Sequence, residues 1–437
     1  MTKHQIYMDY AATTPLDPKV FSTMLPYFKK EFGNPSNLYG LSRRASNAIT
    51  ESTKTIAKIL NCRPDEFVYT ASATEADNLA ILGIARSQRA SFGTGAFQRR
   101  PLAFAPKIIT SSIEHKGVLA ICDVLKKEGF EIVKLPVLKN GLVNLEELKK
   151  ELNDKTILVS ITSADSETGT IQPISEISKI IKEYAEGALL HTDASQSAGY
   201  LDINVKKLGV DMMTLSAHKI YGPKGVAGLY VKRGTKINPI IYGGEQNKLR
   251  SGTENVPGIV GFTQALSLCN KNKKKEFVRI KKMRDTLEKG IFKTIPKVIL
   301  NGHKTDRLPN FLNISILDVE GEAMLLYLDE LGIMVSTGSA CNSQSLEPSY
   351  VLTALGNPYE YVHGSIRFTL GKLNTMTDIK YVLKHLPKIV AKLRTISPLN
   401  LSLNQKTKMS DPKPFIGNQT PHFLRGAPRK KSNEKTN

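Results

Sequence analysis

The chain has 437 residues, 41% of them apolar and 23% charged, and 61 basic against 40 acidic side chains give a net charge of +21. This length suits two or three domains, or one large domain with a smaller partner, and the apolar content excludes disorder throughout. No run approaches the ~18–20 uninterrupted apolar residues of a membrane-spanning helix. Four dispersed cysteines, Cys62, Cys122, Cys269 and Cys341, support neither a disulfide framework nor a zinc ribbon.

The first residues carry no apolar signal core and no Arg-rich presequence, so a cytoplasmic protein is expected. From about residue 45 to 235, apolar runs alternate with amphipathic stretches. Residues 66–69 and 107–112 read as strands. Residues 115–127 read as a helix with Val118, Ile121, Val124 and Leu125 on one face. Further strands are expected at 131–137, 156–162, 188–192, 211–215 and 226–231. Strands separated by helices predict βαβ units, hence an α/β fold with a mostly parallel sheet flanked by helices. In such a sheet the ligand site lies beyond the carboxyl ends of the strands, so the polar residues after each run are the ones to inspect.

The charge cluster 271–275 is expected at the start of a long helix leading into a second unit, roughly 270–398. Residues 87–106 hold three Arg, two Gly and no acid, and read as an inserted loop. Residues 399–437 hold eight Lys/Arg and two Asp/Glu and read as a basic, mostly disordered tail. The chain has no zinc-finger spacing and no aromatic RNA-binding motif, so nucleic-acid binding is not expected as its main function. Attraction to RNA or to acidic proteins remains open as a secondary role.

Lys219 follows the apolar run 211–215. A lysine at a strand's carboxyl end can form a Schiff base with an aldehyde cofactor, though most lysines are merely solvated. Asp193, just after the run 188–192, is suited to keep a pyridine nitrogen protonated, with helix capping as the plainer role. The pair says more than either residue. Residues 70–75 follow a strand and precede a helix, which suits phosphate binding or ordinary capping equally. Cys341, in the small-residue run 336–343, is a nucleophile candidate if a cation or base lowers its pKa. His115 follows a strand directly. Arg367 sits amid apolar neighbours, as a carboxylate clamp or a structural ion pair would.

These stretches together resemble the NifS/IscS-like cysteine desulfurases, the group that supplies sulfur for iron–sulfur clusters and thiolated tRNA. The matches are 9–18 (DYAATTPLDP), 32–36 (FGNPS), 74–80 (TEADNLA), 114–116 (EHK), 191–196 (HTDASQ), 216–225 (SAHKIYGPKG), 250–255 (RSGTEN), 336–341 (STGSAC) and 345–351 (SLEPSYV). They keep the family's order from about residue 6 to 398.

The resemblance implies a fold-type-I pyridoxal 5'-phosphate enzyme of the class V aminotransferase kind, acting as a homodimer. It implies an N-terminal segment 1–15 packed with the small domain, a large cofactor-binding domain 16–262 and a small α+β domain 263–398 carrying the Cys341 loop. Lys219 would bond the cofactor aldehyde and move the Cα proton. His115 would stack on the ring. Asp193 would pair with the ring nitrogen, and Gln196 and Ser166 with the phenolic oxygen. Thr74, Ser216, His218 and the backbone of Ala73 would hold the phosphate, with Thr253 reaching in from the other subunit. Arg367, helped by Asn34, would clamp the substrate carboxylate. Cys341 would take the sulfur of L-cysteine as a persulfide, leaving alanine.

The sulfur would pass to an acceptor such as an iron–sulfur scaffold protein or a tRNA-thiolation enzyme. No metal site is implied, beyond transient ligation of an iron–sulfur cluster by Cys341. Ser166 departs from the family, which has Asn there. The alternatives are another class V enzyme, such as a selenocysteine lyase or aminotransferase, and a non-catalytic basic scaffold. Cys341 speaks against an aminotransferase, and Lys219 against the scaffold.

Overall fold

The computed structural model describes residues 5–91, 105–244, 246–337 and 348–397. The segments expected as insert and tail therefore lie mostly outside the described residues, as does Cys341.

Among the described residues, twelve strands form three sheets. They are β1 (Ile6–Tyr7), β2 (Phe67–Thr70), β3 (Lys107–Ser111), β4 (Glu131–Leu135), β5 (Thr156–Ser160), β6 (Leu189–Asp193), β7 (Met212–Ser216), β8 (Ala227–Val231), β9 (Val298–Leu300), β10 (Phe311–Ile316), β11 (Ile333–Met334) and β12 (Ser365–Thr369). The large sheet has the order β2-β8-β7-β6-β5-β3-β4. β4, β3, β5, β6 and β7 run parallel, and β8 pairs antiparallel with both β7 and β2. β9, β10 and β12 form a small antiparallel sheet.

The large sheet is predominantly parallel for a physical reason visible in its strands. β3, β5 and β7 are buried along their whole length, since helices cover both faces. One face packs on helices Ala73–Ser91 and Lys116–Lys127 through Leu79, Ile84, Val118 and Ile121. The other packs on helix Ile174–Tyr184 and the front of helix Val256–Thr294, through Ile177, Ile181, Phe262 and Leu266.

The expected strands are all present, with ends shifted by a residue or two. The helix at 116–127 buries Val118, Ile121, Cys122 and Leu125, whereas Val124 is 47% exposed. Cys122 takes the inward position because it lies four residues after Val118. The charge cluster 271–275 does not start its helix. That helix runs Val256–Thr294 and starts earlier, at Asn255, whose Oδ1 accepts from Gly258 N at 3.0 Å. Its front buries Ile259 and Phe262 against the large sheet. Its rear buries Met283, Leu287 and Ile291 with β10 and β12. The helix Ala73–Ser91 also extends into the segment read as an inserted loop.

The N-terminal residues link the two cores. β1 pairs in parallel with β11, and Asp9 bridges to Thr369 at the end of β12. Beyond it, Thr14 N and its hydroxyl both donate to the carbonyl of His218. Residues 9–14 thereby lie against the turn that follows β7.

Candidate active site

The strands β3, β5, β6 and β7 end on one edge, and the residues after them meet there. A cavity of about 200 Å³ is lined by Ala73, Thr74, His115, Ser166, Asp193, Gln196, Ser216, His218 and Lys219, together with Ser72, Ile113, Thr162, Ala164 and Ser195. Nine of the residues singled out from the sequence thus share one wall, as an open parallel sheet requires.

Lys219 lies in the short helical turn Ala217–Lys219 directly after β7. Its Nζ donates to the carbonyls of Ala11 and Ala12, the latter at 2.9 Å. Asp193 closes β6, and its Oδ1 accepts from Ser195 N at 2.8 Å. His115 caps the helix Lys116–Lys127: its Nδ1 accepts from Gly117 N at 3.1 Å, which leaves Nε2 to carry the ring proton. Burial and the neighbouring Lys219 and Lys116 push its pKa down, against the pull of Asp193, so the ring is neutral at pH 7. His218 is pushed down to about 4, chiefly by burial. Its Nδ1 faces Thr13 Oγ1 at 3.1 Å.

The phosphate candidates sit at the start of helix Ala73–Ser91. Ser72 Oγ accepts from Glu75 N at 3.1 Å, and Glu75 reaches back to Ala71 N at 2.9 Å. The capping reading of 70–75 therefore holds, and the helix start still opens onto the cavity. Helix N-termini present unpaired N–H groups and favour anions.

Ser166 lies in a turn organised by its neighbour. Asp165 Oδ1 accepts from the N–H groups of Glu167 and Thr168 and from the Thr168 hydroxyl at 2.7 Å. Gly169 completes the turn at φ +76°, where a Cβ would lie 2.5 Å from Phe311. Gln196 donates from Nε2 to the Ala11 carbonyl at 3.0 Å.

Three candidates stand outside the cavity wall. Arg367 lies on β12, where Nη1 donates to the Ser166 carbonyl at 2.8 Å. Asn34 is exposed, and its Oδ1 accepts from Ser36 N at 3.0 Å within its own turn. Thr253 is exposed. Sequence reasoning assigned no role to Ala11, Ala12 or Asp9. The motif at 9–18 was visible, but carbonyl contacts to Lys219 leave no signature in side-chain types.

The wall has the chemistry that pyridoxal phosphate demands. Ser216 Oγ and Ser195 Oγ are buried without a hydrogen-bond partner, and both face the cavity that also holds the helix N-terminus. An unmatched buried hydroxyl costs about 1–3 kcal/mol, which a phosphate acceptor would offset. A carboxylate and an imidazole accompany the lysine. Lys219 also borders a second cavity of about 210 Å³, lined by Val20, Tyr200, Tyr221, Leu268 and Cys269. That lining is mainly apolar and includes neither Asp193 nor His115.

Fold and site together define a pyridoxal-phosphate-dependent enzyme. The aminotransferase class-V family model matches residues 6–382. A cysteine desulfurase IscS of Dictyoglomus turgidum is 48% identical over 91% of this chain and 97% of its own length. One of Methanosarcina thermophila is 47% identical over 90% and 94%. Among solved structures, a NifS-like protein matches with a TM-score of 0.81 at 34% identity, over 89% of this chain and all of its own. A structure titled SspA in complex with cysteine matches with a TM-score of 0.72 at 32% identity, over 84% and 99%. The chain belongs to the aminotransferase class-V family and, within it, to the cysteine desulfurases.

Proposed function

We propose that this protein removes sulfur from L-cysteine, holds it as a persulfide on Cys341 and releases L-alanine. The observation that carries this reading is the convergence of Lys219, Asp193 and His115 on one cavity with unpartnered hydroxyls beside a helix N-terminus. Lys219 Nζ would hold the cofactor aldehyde and Asp193 the ring nitrogen. Gln196 and Ser166 would face the phenolic oxygen. Thr74, Ala73 N, Ser216 and His218 would hold the phosphate, with Thr253 of a second subunit. When bound, pyridoxal phosphate supplies an electron sink that makes the substrate Cα–H acidic enough to lose at neutral pH.

The chain's own groups do the rest. Lys219 Nζ takes the Cα proton and returns one to the carbon skeleton. The neutral ring of His115 packs over the cavity and exchanges a proton at Nε2. Arg367 binds the substrate carboxylate, with Asn34 beside it. Cys341 attacks as a thiolate: an S–S bond forms to the substrate sulfur, the substrate Cβ–S bond breaks, and its electron pair stays on the carbon that becomes the alanine methyl group.

A homodimer fits two features. Thr253 lies outside the cavity of its own chain. Phe28, Phe32 and Leu38, at 58%, 67% and 88% exposure, flank Asn34 in the sequence. The sulfur acceptor, an iron–sulfur scaffold or a tRNA-thiolation enzyme, and a cytoplasmic location are part of the same proposal. Among the described residues no helix is long and apolar enough to cross a membrane.

The test is a single-turnover assay with L-cysteine that reads alanine, sulfide and protein persulfide together, with borohydride fixation of the cofactor. Equimolar alanine and persulfide, and a reduced adduct on Lys219, are expected. Alanine without persulfide would point to a lyase, and an adduct elsewhere would remove Lys219 from the mechanism.

A further inference from the structure

Arg367 carries a contact that its position on β12 does not foretell. Its guanidinium is nine-tenths buried and is gripped from two sides. Nη1 donates to the Ser166 carbonyl at 2.8 Å, and Nη2 to Asp9 Oδ1 at 2.8 Å. Its Nε is buried without a partner. Among the described residues, Asp9 is the one carboxylate within ion-pair distance of Arg367. Asp9 is itself fixed through its backbone, which bridges to Thr369 and accepts from the Tyr7 hydroxyl at 2.8 Å. A guanidinium has five N–H donors, so two held contacts and an enclosed Nε leave the remaining Nη hydrogens for a ligand.

We propose that Asp9 is a positioning residue that sets the affinity of Arg367 for an amino-acid carboxylate. The inference rests on the reading of Arg367 as the substrate clamp. Asp9 does two things at once. It fixes the plane of the guanidinium, so that its free edge is already aimed. Its negative charge also balances the arginine, so that an incoming carboxylate meets a neutral pair instead of a bare cation.

That balance matters because substrate and product share the same carboxylate. Any contact that binds L-cysteine more tightly through this group binds L-alanine more tightly by the same factor. Such uniform binding does not speed the chemical step, and it slows product release. A counter-anion beside the clamp keeps orientation while limiting affinity.

Two substitutions separate these effects. Asp9→Asn keeps an acceptor for Nη2 and removes the charge. Asp9→Ala removes both. The experiment is a spectral titration of the holoenzyme with L-alanine, paired with KM and kcat for L-cysteine. Chromophore content and melting temperature check that each variant is folded.

Asp9→Asn is expected to bind L-alanine about three- to tenfold more tightly, lower KM by a similar factor and lower kcat as product release slows. Asp9→Ala is expected to weaken alanine binding. Unchanged or weaker alanine binding by Asp9→Asn overturns the inference. Arg367→Gln serves as the reference for the clamp itself: it is expected to lose alanine binding by roughly a hundredfold. Should Arg367→Gln bind alanine normally, the clamp reading fails, and the role of Asp9 falls with it.

Discussion

The hydroxyl of Ser349 donates to the carboxyl of Glu167, joining the start of helix Tyr350–Ala354 to the turn that carries Ser166. Tyr350 next to it donates to the Glu114 carbonyl at 2.7 Å. Both glutamates are buried, and burial pushes each up to about 8, with Asp165 adding to Glu167 and Asp193 to Glu114. The folded protein therefore keeps protons that the unfolded chain releases above pH 4.5.

A pH dependence of stability follows, with a definite sign. Between about pH 4.5 and 8 each of these two glutamates holds its proton in the native state and loses it in the unfolded chain, so their contribution to stability is full below that window and is lost as pH rises through it. The buried His191 and His218, pushed down to about 4, act in the opposite sense below pH 6.5. Each group contributes a slope of about 1.4 kcal/mol per pH unit at most. Glu167→Gln keeps an acceptor for Ser349 and removes the titration. Thermal melts from pH 5 to 9 should show a shallower decline for this variant than for the parent protein. Parallel declines would mean that Glu167 is already ionised in the folded state.

The persulfide should map to Cys341 alone. Cys62, Cys122 and Cys269 are each pushed up to about 12, with burial as the largest cause. At neutral pH their thiolate fraction is on the order of one in ten thousand or lower, so they are poor nucleophiles. Cys341→Ala should keep the yellow chromophore and lose persulfide formation. Labelling after one turnover, followed by peptide mass mapping, checks both points. Persulfide on any of the other three would contradict the assignment.

Much of the site was legible because chemistry in a parallel sheet follows the ends of strands. The run Met212–Ser216 ends in a polar turn, and Lys219 stands in it. Leu189–Asp193 ends in the carboxylate itself. What could not be read is what depends on distant pairing. Asp9 and Arg367 meet because β1 pairs with β11 and residue 9 bridges to β12, contacts between segments hundreds of residues apart. Arg367 stood out among its apolar neighbours, but its pairing with Asp9 has no local sequence signal. The misplaced start of the long helix has a different cause. Lys271–Lys275 is a conspicuous charge run, yet a helix begins where its first N–H groups find an acceptor, here the inconspicuous Asn255.

Ser166 is the clearest departure from the family pattern, and its setting predicts the effect of restoring asparagine. The Arg367 contact uses the Ser166 carbonyl, not its side chain. The turn is shaped by Asp165 and Gly169. The side chain at 166 is therefore free to vary toward the cavity it lines. Ser166→Asn adds a longer donor, and it should hold pyridoxal phosphate as well as the parent or better. Cofactor loss on prolonged dialysis measures this. Faster loss would mean that the turn cannot accommodate the larger amide.

The last prediction concerns the helix Met376–Ile396, which carries Lys380, Lys384, Lys388 and Lys392 at four-residue spacing, all exposed. Such spacing puts like charges on neighbouring turns, and each such pair costs about 0.2–0.5 kcal/mol. The helix has one acid, Asp378, already engaged in a capping box with Thr375. Among the described residues no carboxylate pairs with any of the four lysines, and Lys392 lies over the Tyr327 ring at 4.6 Å. Lys388→Glu would turn two repulsive pairs into attractive ones, with the favourable order, glutamate before lysine, toward Lys392. A gain of about 1 kcal/mol is expected in low salt. Because the charges are exposed, the gain should shrink toward zero in 1 M salt, where the screening length falls to ~3 Å. Urea unfolding at the two salt concentrations provides the measurement. A gain that persists in high salt would have to come from packing and not from charge.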